Sequence, residues 1–332
     1  MKYTVTYIFR KPDPRYKSIE GIFYHIKTRV QQIGINTSLF NVKQSGGGLK
    51  TLWSNIAKFK KDKSLIYHIT GDIHYMALAT GKNTVLTIHD VKSILKGAFI
   101  KQLYFKLFWF WIPALCVKRI TVISDFTKKE LEAVIPFAKQ KIRVVHNPVN
   151  SLFRFSDYKF NTIQPKVLLL GTKSNKNLEN VLTALSSISC EIVLIGKLTQ
   201  DQKAFVSQLD LNIEYRFDLK LEEIVEAYKA CDLLCFASTY EGFGMPIIEA
   251  QATGRPVITS NLGAMKEIAA NTAYLVNPYD VEDIRSGLVE VIGNAQLRHD
   301  LIQKGLENVE RFKSNQIAEK YKAIYKEISV NK

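Results

Sequence analysis

The sequence is poor in the features that mark secreted and membrane-spanning chains. Its four cysteines, Cys116, Cys190, Cys231 and Cys235, form no Cys-x-x-Cys pair, and three of them lie in apolar runs. We therefore expect reduced thiols in a reducing compartment. The opening stretch, MKYTVTYIFRKPD, lacks the apolar region of a signal peptide, and the longest apolar run, at 107–117, is too short to span a bilayer. These absences predict a cytoplasmic protein without a membrane span.

Repeats and low-complexity tracts are also absent, and no Gly-x-Gly-x-x-Gly fingerprint follows the first predicted strand. The missing fingerprint argues against a Rossmann oxidoreductase, which stays open as an alternative that cofactor absorbance would decide. The composition, with 46% apolar and 23% charged residues, is that of a globular protein. A chain of 332 residues is long for one hydrophobic core, so we predict two domains.

Negative charge is scarce in the first half of the chain. Residues 1–165 contain 27 Lys and Arg against 9 Asp and Glu, a net +18, whereas residues 166–332 contain 19 against 22, a net −3. This asymmetry predicts that the first half meets an anionic surface or ligand, with a solvated basic face as the alternative. No RNA- or DNA-binding motif accompanies the charge, so we predict no nucleic acid partner.

Short β-branched runs alternate with amphipathic stretches in both halves, which is typical of parallel sheets covered by helices. Strands are predicted at 3–9, 64–70, 83–89, 119–124 and 142–146, and then at 166–171, 191–196, 232–238, 256–260 and 273–276. The irregular stretch between the halves, bounded by Pro148 and Pro165, is the predicted linker. We predict an α/β fold of two doubly wound, Rossmann-like domains, 1–162 and 163–312, that face a central cleft and are followed by a helix at 313–332.

The ligand of an open α/β sheet lies beyond the carboxyl ends of its strands. Strand 232–238 is followed by Tyr-Glu-Gly-Phe-Gly-Met-Pro, in which the glycines permit close approach of the backbone and Pro246 suits the start of a helix. Such a start attracts phosphate. Glu241 on the loop and Glu249, expected in the first helical turn, are placed to accept hydrogen bonds from sugar hydroxyls. The pattern predicts a phosphate flanked by two polyols, as in a nucleotide sugar.

Eight segments resemble, in the same order, those of the retaining glycosyltransferases of family 4, which have two Rossmann-like domains in the GT-B architecture. The segments are SIEGIF (18–23), HITGDIHY (68–75), TIHD (87–90), VISDFTKKEL (122–131), VHNPV (145–149), GTKSNKNLENVL (171–182), EGFGMPIIEA (241–250) and YLVNPYDVEDI (274–284). The seventh matches the family's E-x7-E signature. The resemblance implies transfer of a hexose from a nucleotide diphosphate sugar with retention at the anomeric carbon, and a C-terminal helix that returns toward the first domain.

The resemblance also implies a donor site in the second half. Lys176 would clamp the donor diphosphate and stabilise it as a leaving group. Glu241 would hold the transferred sugar and Glu249 the ribose, and the segment Tyr215–Asp218, which contains Phe217, would contact the base. The family's usual arginine before that lysine is missing, and Lys173 is its candidate replacement, without arginine's bidentate fork. The complete set of implied donor-binding residues is Gly171, Thr172, Lys173, Lys176, Asn177, Phe217, Glu241, Gly242, Phe243, Gly244, Met245 and Glu249.

In the first half, the resemblance gives His89 a place beside the reacting sugar and makes it catalytic together with Glu241 and Lys176. Asp72, His74, His89 and Asp90 are the implied acceptor-binding residues, although buttressing of the sheet is an open alternative for Asp72 and His74. The spacing of His68, Asp72 and His74 is compatible with metal binding. The family needs no metal, so we predict neither a metal nor another cofactor.

The stretch 96–119 mixes lysines with Phe, Tyr and Trp on a helical pattern. Two interpretations are open: a helix lying on an anionic leaflet, or a core helix packed on the first sheet. With the basic first half, it favours a saccharide or lipid-linked saccharide acceptor of surface polysaccharide synthesis and peripheral attachment to the inner face of the cell membrane.

Ser124 is the predicted N-cap of the helix TKKELEAV.

Three alternatives compete with transfer to an acceptor. Glu241 and Glu249 would suit the acid and base of a glycoside hydrolase, but a lysine clamp would then have no purpose. A nucleotide-sugar epimerase of the same architecture would turn over without an acceptor. A catalytically silent nucleotide-sugar-binding partner subunit would bind the donor without transferring it.

Overall fold

The computed structural model describes residues 3–12, 18–92, 95 and 97–329, of which Ser18 is described without its side chain. The chain divides into two compact units. The first consists of residues 1–148 and 313–332, and the second of residues 149–312. Lys96, at the start of the predicted 96–119 helical pattern, lies outside the described residues.

The first unit alternates strands and helices. Its elements up to residue 144 are β1 (Thr4–Phe9), α1 (Ser18–Gln32), β2 (Asn36–Asn41), α2 (Leu49–Ala57), β3 (Ile66–Ile69), α3 (Ala77–Thr80), β4 (Thr84–Ile88), α4 (Phe99–Phe105), α5 (Ile112–Cys116), β5 (Arg119–Val122), α6 (Asp125–Val134) and β6 (Ile142–Val144). A π-helical segment at Lys106–Trp111 makes α4 and α5 continuous, and 3₁₀ turns occupy His74–Met76 and Pro136–Lys141.

These strands form one parallel sheet in the order β2-β1-β3-β4-β5-β6. Strands β1, β3 and β4 are buried on both faces, as parallel strands covered by helices must be. The side chains of β1 alternate between two cores. Tyr7 packs with Phe23 of α1, whereas Ile8 packs with Leu86 and Trp109 on the opposite face.

The second unit repeats the plan. Its elements are β7 (Lys166–Leu170), α7 (Leu178–Leu185), β8 (Glu191–Ile195), α8 (Gln200–Val206), β9 (Asn212–Arg216), α9 (Leu221–Ala230), β10 (Leu233–Phe236), α10 (Met245–Ala252), β11 (Val257–Ser260), α11 (Gly263–Ala269), β12 (Tyr274–Val276), α12 (Val281–Gly293) and α13 (Ala295–Val309). Its parallel sheet has the order β12-β11-β10-β7-β8-β9, so the chain reverses its direction of winding between β7 and β10.

The last described helix, α14 (Ser314–Ser329), belongs to the first unit. Its apolar face supplies Ile317, Tyr321 and Tyr325 to the core formed by β1 and α1. The Tyr325 hydroxyl lies 3.0 Å from that of Tyr7. The predicted return of the C-terminal helix to the first domain is therefore confirmed. Residues 330–332 of the predicted segment lie outside the described residues.

The sequence patterns missed β2 and β9, which lie at the edges of the two sheets. Both strands are largely exposed and polar, so they lack the buried β-branched run that identifies a central strand. The predicted N-cap of α6 is confirmed, because the Ser124 hydroxyl accepts a hydrogen bond from the Thr127 amide at 3.0 Å.

The division between the units falls after Pro148 rather than after residue 162, where it was predicted. The intervening segment packs on the second unit through its aromatic side chains. The Arg255 guanidinium lies 3.7 Å from the centroid of the Tyr158 ring, and that of Arg298 lies 4.1 Å from the Phe160 centroid. The predicted linker is therefore largely a part of the second unit.

Candidate active site

The reversal of winding between β7 and β10 separates the helices that follow these strands, which leaves a crevice at their carboxyl ends. Two loops meet at this place, one after each strand. The Thr239 amide donates to the Asn175 carbonyl oxygen at 2.9 Å, and the Asn175 side-chain amide donates to the Tyr240 carbonyl oxygen, also at 2.9 Å. The hydrogen bonds fix the two loops to one another.

The joined loops bring Lys176 and Glu241 together. The Lys176 ammonium donates to Oε1 of Glu241 at 2.8 Å, and the Asn175 amide reaches the same oxygen at 3.0 Å. The side chains of Lys176 and Glu241 are 19% and 18% exposed, so solvent reaches the pair without surrounding it. Lys176 also lies 4.6 Å above the centroid of the Phe236 ring. The Lys176 ammonium and the Glu241 carboxylate thus form an ion pair at the carboxyl ends of β7 and β10.

Gly171 is required for the position of Lys176. Its φ of +85° is in the region that favours glycine, and a Cβ at this residue would lie 2.9 Å from Cε of Lys176. The neighbouring Thr172 forms hydrogen bonds that hold the loop in place. Its hydroxyl donates to the Lys197 carbonyl oxygen at 2.7 Å, and its own carbonyl oxygen accepts from the Gln202 amide at 2.8 Å.

Asn177 has a buried side chain and a left-handed backbone, with φ of +57°. Its amide donates to the carbonyl oxygens of Ala237 and Pro278, at 3.2 Å and 2.6 Å. These bonds give Asn177 a positioning role in the loop, where a contact with the donor was predicted. Lys173 is exposed at the beginning of the Ser174–Lys176 turn, and its contact with a donor stays a prediction.

The glycine-rich segment continues directly into α10. Gly244 has a φ of +110° and caps the helix, which begins at Met245 with Pro246 in its first turn. Phe243 is only 3% exposed and packs edge-on against Phe312, with 5.7 Å between the ring centroids. The phenyl ring therefore anchors the loop in the core. Contact between Phe243 and a ligand would then be made by the main chain and not by the side chain.

Glu249 lies in the second turn of α10, not in the first turn as predicted, because the helix already begins at Met245. Its Oε2 accepts a hydrogen bond of 2.7 Å from the hydroxyl of Tyr228 in α9. Burial raises the pKa of Glu249 to about 7, although the Tyr228 hydrogen bond and the Lys176 charge act in the opposite direction. The Lys176 charge therefore acts on Glu249 as well as pairing with Glu241.

Phe217, the predicted base contact, follows β9 and is 57% exposed. It is preceded by Arg216, whose guanidinium pairs with Glu214 at 2.8 Å. The ring is thus free of the core at the carboxyl end of its strand, and its contact with a base stays a prediction.

In the first unit, His89 directly follows β4. The ring is 8% exposed and lies edge-on to Phe23, with centroids 5.7 Å apart. Its Nε2 donates to the Thr70 carbonyl oxygen at 2.8 Å, which makes Nδ1 the accepting nitrogen of the neutral ring. Burial lowers the pKa of His89, so the ring stays uncharged near neutral pH. Asp90 follows it as a partly buried residue.

His74 is buried in the core, a position that fits the buttressing alternative better than acceptor binding. It is 1% exposed, and its Nδ1 donates to the Trp109 carbonyl oxygen at 2.8 Å. Burial lowers its pKa to about 4. His68 is also internal: its two ring nitrogens lie 2.6 Å from the Tyr325 hydroxyl and 2.7 Å from the Thr87 hydroxyl, and burial lowers its pKa to about 3. Across the described ranges, no three His, Cys, Asp or Glu side chains form a group suited to a metal ion.

Asp72 is exposed at the carboxyl end of β3, close to a charged pair that the sequence patterns missed. Arg10, just after β1, forms a bidentate ion pair with Glu20 of α1, and its Nη1 lies 3.7 Å from Asp72. Arg10, Asp72 and His89 thus follow three adjacent strands of one sheet. Arg10 could have been found from its position at the end of a buried strand. Glu20 could have been found from its position in the SIEGIF segment.

Comparisons with known proteins cover nearly the whole chain. The Glycosyltransferase Family 4 model matches residues 2–151, and the Glycosyl transferases group 1 model matches residues 154–308. An O-antigen chain mannosyltransferase of Salmonella typhimurium is 25% identical over 257 residues, which are 72% of this chain and 70% of that protein.

Solved structures share the fold at lower identity. The sucrose-phosphate synthase of Thermosynechococcus elongatus is 16% identical and superposes with a TM-score of 0.79, covering all of both chains. HepE of Anabaena, solved with UDP and glucose, is also 16% identical, with a TM-score of 0.73 over 96% of this chain and 98% of its own.

Proposed function

This chain belongs to the group 1 glycosyltransferases of family 4, and we propose that it transfers a hexose from a nucleoside diphosphate sugar to a saccharide acceptor. The predicted two-domain GT-B fold is confirmed by the two parallel sheets and by the structural neighbours. The observation that carries the proposal is the pair of Lys176 and Glu241, held at 2.8 Å where β7 and β10 end, with the Lys176 charge also acting on Glu249.

The pair has the chemistry that a nucleotide sugar requires. A diphosphate needs a cation, and a hexose and a ribose need acceptors for their hydroxyl groups. We assign the diphosphate to the Lys176 ammonium, the hexose hydroxyls to Glu241 and the ribose hydroxyls to Glu249. HepE was solved with UDP, and the Salmonella relative is a mannosyltransferase, which supports a nucleoside diphosphate donor and a hexose.

We propose transfer with retention at the anomeric carbon. The bond between that carbon and the diphosphate oxygen breaks, the acceptor hydroxyl forms its bond on the same face, and the departing diphosphate oxygen takes the acceptor's proton. Lys176 stabilises the negative charge that develops on the leaving group, and fixed geometry supplies the rest of the rate enhancement. The accepting Nδ1 of neutral His89 is suited to a sugar hydroxyl.

The first unit has a surface suited to an anionic membrane. Along the continuous helix 99–116, exposed apolar side chains recur every four residues and so form one stripe; they are Phe99, Leu103, Leu107, Trp111 and Leu115, with Ile100 beside them. The opposite face supplies Trp109 and Phe110 to the core. The core interpretation therefore holds for one face of the helix, and the exposed face leaves the membrane interpretation open.

We infer that this apolar stripe lies on an anionic leaflet, with the exposed Lys101 near the lipid phosphates. The acceptor would then be a lipid-linked saccharide or a growing surface polysaccharide at the inner face of the cell membrane, in keeping with the O-antigen role of the Salmonella relative. Within the described part of the chain, no helix combines the length and the apolar content needed to cross a bilayer.

A thermal-shift panel of UDP-, GDP-, ADP- and dTDP-sugars tests the donor assignment, since a ligand that binds only the native state raises the melting temperature. We expect one nucleotide class to raise it, and we expect Glu241→Ala to abolish the shift without unfolding the chain. A donor bound but never consumed would indicate a silent binding subunit, and turnover without acceptor would indicate an epimerase. A panel without any shift would overturn the proposal.

A further inference from the structure

Glu249 and Tyr228 form a hydrogen-bonded carboxyl–phenol pair between α10 and α9, and sequence patterns gave Tyr228 no role. Tyr228 is 1% exposed, on the face of α9 that packs against the sheet, and its hydroxyl donates to Oε2 of Glu249 at 2.7 Å. Its ring is held from another side by Phe153, which lies edge-on with 5.3 Å between centroids. Burial, the hydrogen bond and the ring contact together fix the phenol beside the carboxylate.

The two helices that carry the pair are tied together at one end by Arg255. The guanidinium donates to the carbonyl oxygens of Lys229 and Cys231, at 2.6 Å and 2.8 Å, and so fixes the end of α9 directly after Tyr228. The main-chain amide of Arg255 donates to the carbonyl oxygen of Ala250, at 2.9 Å, next to Glu249. Arg255 therefore sets the distance between α9 and α10 at the place where phenol and carboxylate meet.

The hydrogen bond occupies one carboxylate oxygen and leaves the other. Without it, the Glu249 side chain would be free to change rotamer, and each freely rotating bond that must be fixed on binding weakens affinity. We propose that Tyr228 is a positioning residue of the donor site, whose hydroxyl fixes the Glu249 carboxylate so that Oε1 is presented to the nucleotide's ribose. This proposal rests on the donor role assigned to Glu249 above.

A second consequence follows from the same bond. The hydroxyl stabilises the charged form of Glu249 and lowers the pKa of the carboxyl from the higher value that burial alone would give. Tyr228 therefore keeps Glu249 ionised, and able to accept strong hydrogen bonds, at a lower pH than would otherwise hold. Loss of the hydroxyl would displace the acid limb of the activity profile to higher pH, an effect that looser packing would not produce.

The test compares the wild-type chain with Tyr228→Phe, which removes the hydroxyl and keeps the ring. Tyr158→Phe is the matched control, since it removes another largely buried phenol of the second unit, bonded to the Asp232 carbonyl oxygen at the opposite end of β10. KM, kcat and the pH profile of kcat/KM are measured with UDP-glucose and with GDP-mannose. We expect Tyr228→Phe to raise the donor KM about tenfold with kcat changed less than about twofold, the size of one lost hydrogen bond to a charged group.

A carbon-13 titration of the Glu249 carboxyl measures the coupling without any donor. The resonance is assigned by its absence in Glu249→Gln. We expect the pKa of Glu249 to rise in Tyr228→Phe and to stay unchanged in Tyr158→Phe. Should Tyr228→Phe fail to fold, 3-fluorotyrosine at 228 keeps the shape and donates more strongly, so the Glu249 pKa and the acid limb should move to lower pH.

The outcomes separate this inference from the proposed function. An unchanged donor KM in Glu249→Gln would remove the ribose role of Glu249 and, with it, that part of the proposed function. A different result would refute the positioning role of Tyr228 alone. In that case Glu249→Gln raises the donor KM, but Tyr228→Phe changes neither the donor KM, nor the acid limb of the activity profile, nor the pKa of Glu249.

Discussion

The most distinctive prediction concerns the stability of the second unit as a function of pH. Burial raises the pKa of Glu249 from the ordinary 4.5 to about 7. Between these values the folded chain keeps a proton that the unfolded chain has lost, so stability is full below pH 4.5 and falls as the pH rises toward 7. A shift of this size corresponds to about 3 kcal/mol, at about 1.36 kcal/mol for each pH unit.

Glu249→Gln has no proton to lose and should escape this decline. Buried histidines act in the opposite sense, because burial lowers the pKa values of His68, His74 and His89 and their stability contribution is lost as the pH falls. The informative quantity is therefore the difference between the two proteins, in which the histidines cancel.

Urea unfolding of both proteins at intervals between pH 4.5 and pH 8 measures that difference. We expect the free energy of unfolding of Glu249→Gln to gain about 3 kcal/mol relative to the wild type across this range, with most of the change complete by pH 7. A relative gain below about 1 kcal/mol would refute the reasoning, since it would mean that the carboxyl is hydrated like any surface glutamate.

Three further predictions follow from the packing. Arg255→Ala should cost the second unit about 3–5 kcal/mol of unfolding free energy in urea, because the carbonyl oxygens of Ser156, Lys229 and Cys231 would lose their donor. A loss below about 1 kcal/mol would contradict the role of Arg255 in tying α9 to α10. Leu103→Glu with Leu107→Glu should cut sedimentation with anionic liposomes at least about tenfold, whereas Val289→Glu, at an exposed apolar residue of the second unit, should not. Undiminished sedimentation of the double variant would count against the stripe, and salt-independent binding of the wild type would count against attraction to an anionic leaflet. Gly171→Ala should lower kcat/KM at least about tenfold, because the added methyl group strains the backbone and displaces Lys176. Gly293→Ala is the neutral control, since a Cβ at that residue meets open space. Equal activities of the two variants would show that Lys176 tolerates the methyl group.

Local patterns predicted the central strands well and the edges poorly. Strands β1, β4 and β10 are continuous buried runs, so hydrophobicity and β-branching identified them. Strand β2 begins with three polar residues and shows no apolar period, whereas β9 alternates apolar and polar residues but is largely exposed. Neither contains the buried β-branched run by which the central strands were identified, so both were missed.

The candidate site shows the same limit. Glu241 and Glu249 were predicted from a motif at the end of a strand and Lys176 from the family resemblance, and the structure pairs Lys176 with Glu241. Tyr228 was missed because it bonds to Glu249, a residue 21 positions away in sequence on another helix. Two interpretations of His74 stayed open, because sequence alone does not distinguish a histidine that faces a ligand from one that donates to a buried carbonyl group.

The central claim is that Lys176, paired with Glu241, holds and stabilises the donor diphosphate. Lys176→Met keeps the length of the aliphatic stem and removes the charge, and Lys322→Met, on the exposed face of α14, is its control. With UDP-glucose or GDP-mannose and a saccharide acceptor, we expect Lys176→Met to lower kcat/KM at least about a hundredfold at an unchanged melting temperature, as loss of an electrostatic stabiliser does. Transfer within about threefold of the wild-type rate would contradict the account.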